Sequence, residues 1–411
     1  MPEQPQVVQR FLRYARIDTQ SREGVEDYPS TDKQKELSRL LAEELRELGV
    51  ADAQMDEHGY VMGTVESNLD HEAPVIGLIA HVDTSPEVSG AGVNPRLHPD
   101  YDGGAIRLND DHTLTPEQSP QLLKFVGGTI ITTDGTTLLG ADNKAGCAEI
   151  MTLVQRLRDD PSIPHGKLRI AYTCDEEVGN GVKFFDVGKF GADYAYTVDG
   201  ETPGEVENET FCADSATVKI TGVNVHPGYA KDKLESAIKA AAMFIEHLPL
   251  HMAPETTERR QGYLHPISIS GGVEEVTIKM ILRDFDEQPL RAQREILEGI
   301  AGRVRGAFPR AGVELTYAES YRNMRFVLED HPRVVDNALE AVKRAGMDPV
   351  LNLIRGGTDG ARLSFMGLPT PNIFTGGHLF HSRYEWIAVE GMQAAVDTLV
   401  HLVQIWAEPA E

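Results

Sequence analysis

Apolar runs too short for buried helices alternate, in the first half of this chain, with segments of helical spacing. The runs are "PVIGLIAHVD" at 74–83, "TTLLGAD" at 136–142, Lys167 to Thr173, and "ADYAYTVDG" at 192–200. Each reads as a buried strand. Between and before them lie amphipathic stretches such as "NKAGCAEIMTLVQRLRD" and residues 33–48, the latter stopped by Gly49. Strands interleaved with helices define an α/β protein with a mixed, largely parallel sheet flanked by helices.

Near residue 211 the pattern changes. From "ATVKITGVNVHPG" onward the order is strand, helix, strand, strand, helix, strand, the βαββαβ order of a ferredoxin-like unit on one small sheet. After about residue 323 the α/β pattern returns. The expected organisation is a main domain in two parts, 1–210 and 323–411, interrupted by a smaller inserted domain at 211–322. The stretch from roughly 85 to 128 is too long for an ordinary loop and is expected to be functional or partly structured.

A formal charge of −25 argues against nucleic acid or an anionic membrane as partner, since both need a basic face. Three cysteines, Cys147, Cys174 and Cys212, form no CxxC pair and suit a reducing cytosol. No apolar run approaches the ~20 residues of a membrane helix, and the first residues lack the apolar core of a signal peptide. A cytoplasmic protein is expected.

Acids and histidines gather where the predicted strands end, in the crevice where α/β sheets bind ligands. "IAHVD" carries His81 and Asp83, which share a strand face. "LLGADNKAG" carries Asp142, "TVDG" carries Asp199, and "TGGHLFHSRYEW" offers His378 and His381. "AYTCDEEVGNG" at 171–181 sets Asp175, Glu176 and Glu177 side by side, either as a solvated acidic turn or around a cation. Taken singly, each has an ordinary structural explanation: Asp142 as a helix cap, Asp199 as part of a turn, a histidine as a satisfied core residue. Together, five such acid or imidazole sites at strand ends are much harder to dismiss.

"GLIAHVDTS", "GTTLLGADNKAG", "CDEEVG", "TVDG" and "RGGTDGARLSFMGLPTPNIFTGG" followed by histidine resemble, in order and spacing, the peptidase T family of tripeptide aminopeptidases. That family belongs to the larger group of co-catalytic zinc peptidases and deacylases. The resemblance implies two zinc ions, or cobalt or manganese in their place. His81 and Asp199 would bind one, Glu177 and His381 the other, and Asp142 would bridge both. It makes Glu176 the general base, Asp83 the partner of His81, and His381 rather than His378 the ligand. Asn143 stands where many relatives have a second aspartate that is not a ligand. The inserted domain becomes a lid, with His226 stabilising the oxyanion and Arg283 and Arg355 holding the peptide's terminal carboxylate. The implied reaction is release of the N-terminal residue from a tripeptide; the enzyme is expected as a monomer or a homodimer. An N-acyl-amino-acid deacylase or dipeptidase using the same site is the rival enzyme, and a non-catalytic metal-binding descendant the rival class.

Overall fold

A computed structural model describes residues 4–409 of the 411-residue chain. They form two compact units: one runs to Asn208 and continues through Met324–Asn352 and from Thr358 onward, and the other comprises Glu209–Asn323 with Leu353–Gly357.

The first unit is built on an eight-stranded sheet in the order Gln54–Met55, Val61–Val65, Leu168–Thr173, Ile76–His81, Tyr194–Gly200, Asn372–Phe374, Glu205–Thr210, Val350–Ile354. Leu168–Thr173, Ile76–His81, Tyr194–Gly200 and Asn372–Phe374 run parallel, and the strands paired on either side of them are antiparallel. Ile76–His81 is buried along its whole length, as a central parallel strand requires. Helices Gln6–Ala15, Gln34–Glu47, Ala141–Asp159, Pro332–Arg344 and Val389–Ala407 flank the sheet. In Gln34–Glu47 the buried Leu37, Leu41 and Leu45 recur at helical spacing, and Gly49 follows at φ +95°.

The second unit carries a four-stranded antiparallel sheet in the order Tyr263–Gly271, Glu275–Asp284, Cys212–Thr221, Gly312–Tyr321. Helices Ala237–Glu246 and Glu287–Ala307 complete the βαββαβ order. The fold class expected from the strand and helix patterns is the one observed.

The long segment after His81 holds short strands at Arg96–His98 and Ile130–Thr132, which join Gly377–His378 and Trp386–Ala388 in a small sheet. The run "TTLLGAD" is not a strand. Residues 136–140 are irregular, and the N–H groups of Leu139 and Gly140 donate to the Glu385 carboxylate instead of to a neighbouring strand.

Candidate metal centre

The parallel strands deliver two side chains and the acidic turn to one end of the sheet. Ile76–His81 ends on His81, Tyr194–Gly200 carries Asp199 next to its last residue, and Leu168–Thr173 runs into the acidic turn. Asp142 enters at the start of the Ala141–Asp159 helix, and His381 from the loop before Trp386–Ala388. The chain leaves the strand at Thr173, passes through Asp175 at φ 61°, and makes a 3-10 turn over Glu176–Val178 that ends at Gly179, φ 71°. That turn puts Glu177 in one candidate ligand group and leaves the adjacent Glu176 in the field of His81, Asp359 and Asp199. His381 is also left-handed, at φ 59°. Such backbone costs of order 1–3 kcal/mol for a non-glycine residue and concentrates at functional sites.

His81 Nε2 lies 2.9 Å from Asp142 Oδ1 and 3.3 Å from Asp199 Oδ1. His381 Nε2 lies 3.1 Å from Asp142 Oδ2 and 2.8 Å from Glu177 Oε2. The donor atoms of His81, Asp142 and Asp199, and those of Asp142, Glu177 and His381, each fall within 4.8 Å of one another. Asp142 belongs to both groups, one oxygen toward each imidazole. On the far side of His81, Nδ1 is 3.1 Å from the Asp83 carbonyl oxygen and 3.2 Å from its Oδ1. The Asp83 carboxylate also accepts the N–H groups of Glu176 (3.1 Å) and Glu177 (3.2 Å), tying the acidic turn to the His81 strand.

Burial pushes the carboxyls of Glu177 and Asp199 up to about 8 and about 6, against the pull of the neighbouring imidazoles. Burial likewise raises Glu176 well above the carboxylate range, with Asp359, Asp199 and Glu177 adding to it and His81 opposing. For Asp142 burial alone would act upward, but hydrogen bonds from His381 and His81 hold its carboxyl low. Both imidazoles resist burial because acids surround them: His81 is raised well above its ordinary value, and His381 is pushed up to about 11. The imidazoles and the acids around them thus favour one another's charged forms. The donors fit divalent cations, because each group offers one imidazole and two carboxylates, ligands that zinc accepts. The buried Glu177 Oε1 has no hydrogen-bond partner among the described residues, as suits an oxygen kept for a cation.

His378 is elsewhere. Its ring stacks on Trp386 at 4.4 Å, and burial, assisted by the Lys124 charge, lowers its pKa to about 4. Asn143, rather than Asp142, caps the helix, accepting the Gly146 N–H at 3.1 Å. His226, Arg283 and Arg355 belong to the second unit. His226 Nδ1 accepts the Gly228 N–H. Arg283 donates through Nη1 to the carbonyls of Asp214 and Leu282. Arg355 donates to Arg259 O, Gln261 O and Thr257 Oγ1 and lies over the rings of Phe211 and Tyr263.

Three acids around the site escape sequence reasoning. Asp175, the first of the triplet, accepts from Ser30 N–H (2.5 Å), Ser30 Oγ (2.5 Å) and Gln34 Nε2 (2.6 Å), and its own N–H donates to Gln34 Oε1 at 3.0 Å. Asp359 is buried, accepts from Thr173 Oγ1 at 2.8 Å, and packs so closely on Gly181 that a Cβ there would clash with its carboxylate. Glu385 holds the Asp142 loop. Each stands in a motif already quoted, Asp175 in "CDEEVG", Asp359 in "RGGTDGARLSFMGLP" and Glu385 in "HSRYEW", but the motif does not name its partners.

The model of peptidase family M20/M25/M40 matches residues 133–405, and the chain belongs to that family. Within it the chain falls in the peptidase T group and is a metallo-aminopeptidase. It is 47% identical to peptidase T of Clostridium perfringens over 402 residues, covering 98% of this chain and 99% of that one. Peptidase T of Halothermothrix orenii matches at 47% over 403 residues, with 98% and 99% covered. Among solved structures, aminopeptidase PepT from Bacillus cereus superposes with TM-score 0.76 at 24% identity, covering 98% of each chain. A tripeptidase from Staphylococcus aureus gives 0.77 at 23%, again covering 98% of each. A dinuclear metal-binding M20 peptidase from Bacillus subtilis gives 0.64 at 14%, covering 97% of each.

Proposed function

We propose that this chain is a dinuclear aminopeptidase that releases the N-terminal residue of tripeptides. The observation that carries the reading is Asp142, whose two carboxylate oxygens each face an imidazole of a different candidate ligand group. His81, Asp142 and Asp199 would hold one zinc, and Asp142, Glu177 and His381 the other; cobalt and manganese accept similar donors. The bound metals would polarise the scissile carbonyl and make a water more acidic. Glu176 takes the proton from the attacking water and returns it to the leaving amine. Asp83 orients His81 and holds the backbone of Glu176 and Glu177 in place.

In this reading 211–322 is the substrate-recognition domain, completed by 1–210 and 323–411 as the catalytic domain. His226 would stabilise the developing oxyanion, and Arg283 and Arg355 would hold the substrate's C-terminal carboxylate. Arg283 has Nε and Nη2 without a protein acceptor among the described residues. Arg355 has three of its five N–H groups committed, leaving Nε–H and one Nη2–H for a ligand. A carboxylate anchor at one end of the peptide and metals at the other would measure its length. The names of the peptidase T relatives and of the Staphylococcus aureus tripeptidase point the same way. We place the activity in the cytoplasm, on the three unpaired, buried cysteines.

Zinc-loaded protein should contain two ions per chain and prefer a tripeptide to the matching dipeptide, tetrapeptide and N-acetyl amino acid. One ion per chain would overturn the dinuclear site. Preference for the N-acetyl amino acid would make the chain a deacylase.

A further inference from the structure

Glu385 is buried, 1% exposed, and stands four residues after His381. Its Oε2 accepts the N–H groups of Leu139 at 2.7 Å and Gly140 at 2.8 Å, and its Oε1 accepts the N–H of Asp142 at 3.1 Å. Gly140 has φ +80°, and Asp142, at φ −81° and ψ 104°, is not helical although it stands at the head of the helix. Successive N–H groups turned toward one point make a nest for an anion, and here the chain supplies the anion from its own C-terminal segment. A loop that has no strand to pair with is held by a carboxylate.

A buried anion on three N–H donors could serve stability alone. Two features assign it more. One bond goes to the backbone of Asp142, the residue shared by both candidate ligand groups. The same short segment, 381–385, carries His381, so a single piece of chain both supplies one group and fixes the member common to the two. Asp83 stands in the same relation to Glu176 and Glu177.

We propose that Glu385 is a positioning residue: it sets the Asp142 backbone so that the carboxylate serves both metal positions at once, and its loss separates the two binding events before it unfolds the chain. This rests on the dinuclear reading above. Glu385→Gln is the informative variant, because an amide keeps the shape but only one oxygen. With that oxygen toward Leu139 and Gly140, its NH₂ meets the Asp142 N–H and that bond is lost.

Wild type and Glu385→Gln, both stripped of metal, are titrated with cobalt followed by visible absorption, and with zinc against a chromophoric chelator. Melting of the metal-free proteins is recorded alongside. The expected result is metal-free melting within a few degrees of wild type, together with a 10- to 100-fold weaker affinity at one or both positions and cobalt spectra that develop in two separated steps. Unaltered affinities within twofold, or a loss matching only the unfolded fraction, would overturn the proposal. Glu385→Ala, which removes all three bonds, should lose more affinity than the glutamine variant; if it fails to fold, the glutamine variant decides. A wild type that binds fewer than two ions would overturn the dinuclear reading and this inference with it. Two ions in wild type with an unaffected Glu385→Gln would overturn this inference alone.

Discussion

Replacing Asp175 tests whether the acidic turn is held by bonds distant in sequence. Its carboxylate accepts three hydrogen bonds, from Ser30 N–H, Ser30 Oγ and Gln34 Nε2. Hydrogen bonds to a charged group contribute roughly 1.5–3 kcal/mol each. Burial raises the Asp175 pKa, so part of that sum is offset by desolvation of the charge. For Asp175→Ala the net loss is therefore about 3–5 kcal/mol, the size of a broken buried network. At roughly 2 °C per kcal/mol in a unit this large, the melting transition should fall by about 6–10 °C. Asp175→Asn keeps the volume and one oxygen and should lose chiefly the Ser30 N–H bond, roughly a third of the effect. Calorimetry of metal-free protein measures both, and kcat on a tripeptide reports whether the Glu176 turn has moved. An alanine variant that melts within 1 °C of wild type, with unaltered kcat, would refute the reasoning; so would equal losses in the two variants.

The two adjacent glutamates should separate cleanly: Glu176→Gln loses about 10²–10⁴ in kcat with metal content retained, whereas Glu177→Ala also loses metal, both read by metal analysis beside turnover. A C-terminally amidated tripeptide should show kcat/KM roughly ten- to a hundredfold below the free acid, since one charge-assisted contact is lost; equal values would remove the arginine anchor. Glu149 is buried with neither carboxylate oxygen partnered among the described residues, and burial raises its pKa well above the usual value. The folded chain therefore keeps a proton that the unfolded chain releases above about pH 4.5, and stability falls as pH rises from there, by up to about 1.4 kcal/mol per pH unit. Glu149→Gln, which cannot ionise, should melt above wild type at pH 8 with the difference closing toward pH 5; a pH-independent difference would show that Glu149 does not titrate with folding.

The residues that meet in the candidate centre were legible because they sit in short motifs; His81 and Asp199 stand at strand ends and Glu177 just past one, where the alternation of strands and helices already places a crevice. The donor atoms of His81, Asp142 and Asp199, and those of Asp142, Glu177 and His381, lie within 4.8 Å of one another. What surrounds them was hidden for a physical reason. Asp175 meets Gln34 from 141 residues away and Glu385 meets Asp142 from 243, and no local spacing encodes such partners. The same blindness turned "TTLLGAD" into a predicted strand. Its apolar run satisfies the strand pattern, but pattern records what a segment buries, and leaves open whether its N–H groups face another backbone or a side chain. The exit from the strand before Glu176 runs through Asp175 at φ 61°, a conformation that the sequence does not announce, and the 3-10 turn that follows ends at Gly179.

The order in which the chain emerges during synthesis bears on when the site can exist. The second unit is all but complete once Asn323 has been made, lacking only Leu353–Gly357. The first unit still waits for Asn372–Phe374, an interior strand that lies between Tyr194–Gly200 and Glu205–Thr210, and for His381 and Glu385 beyond it. His381 follows Asn323 by 58 residues (381 − 323), which at ~5–20 residues per second is a delay of about 3–12 s. Throughout that interval the nascent chain carries His81, Asp142, Glu177 and Asp199 without the strand that closes their sheet or the histidine and clamp that complete them. The candidate ligand set is thus complete only once the segment through Glu385 has been made, with the helix Val389–Ala407 still to follow.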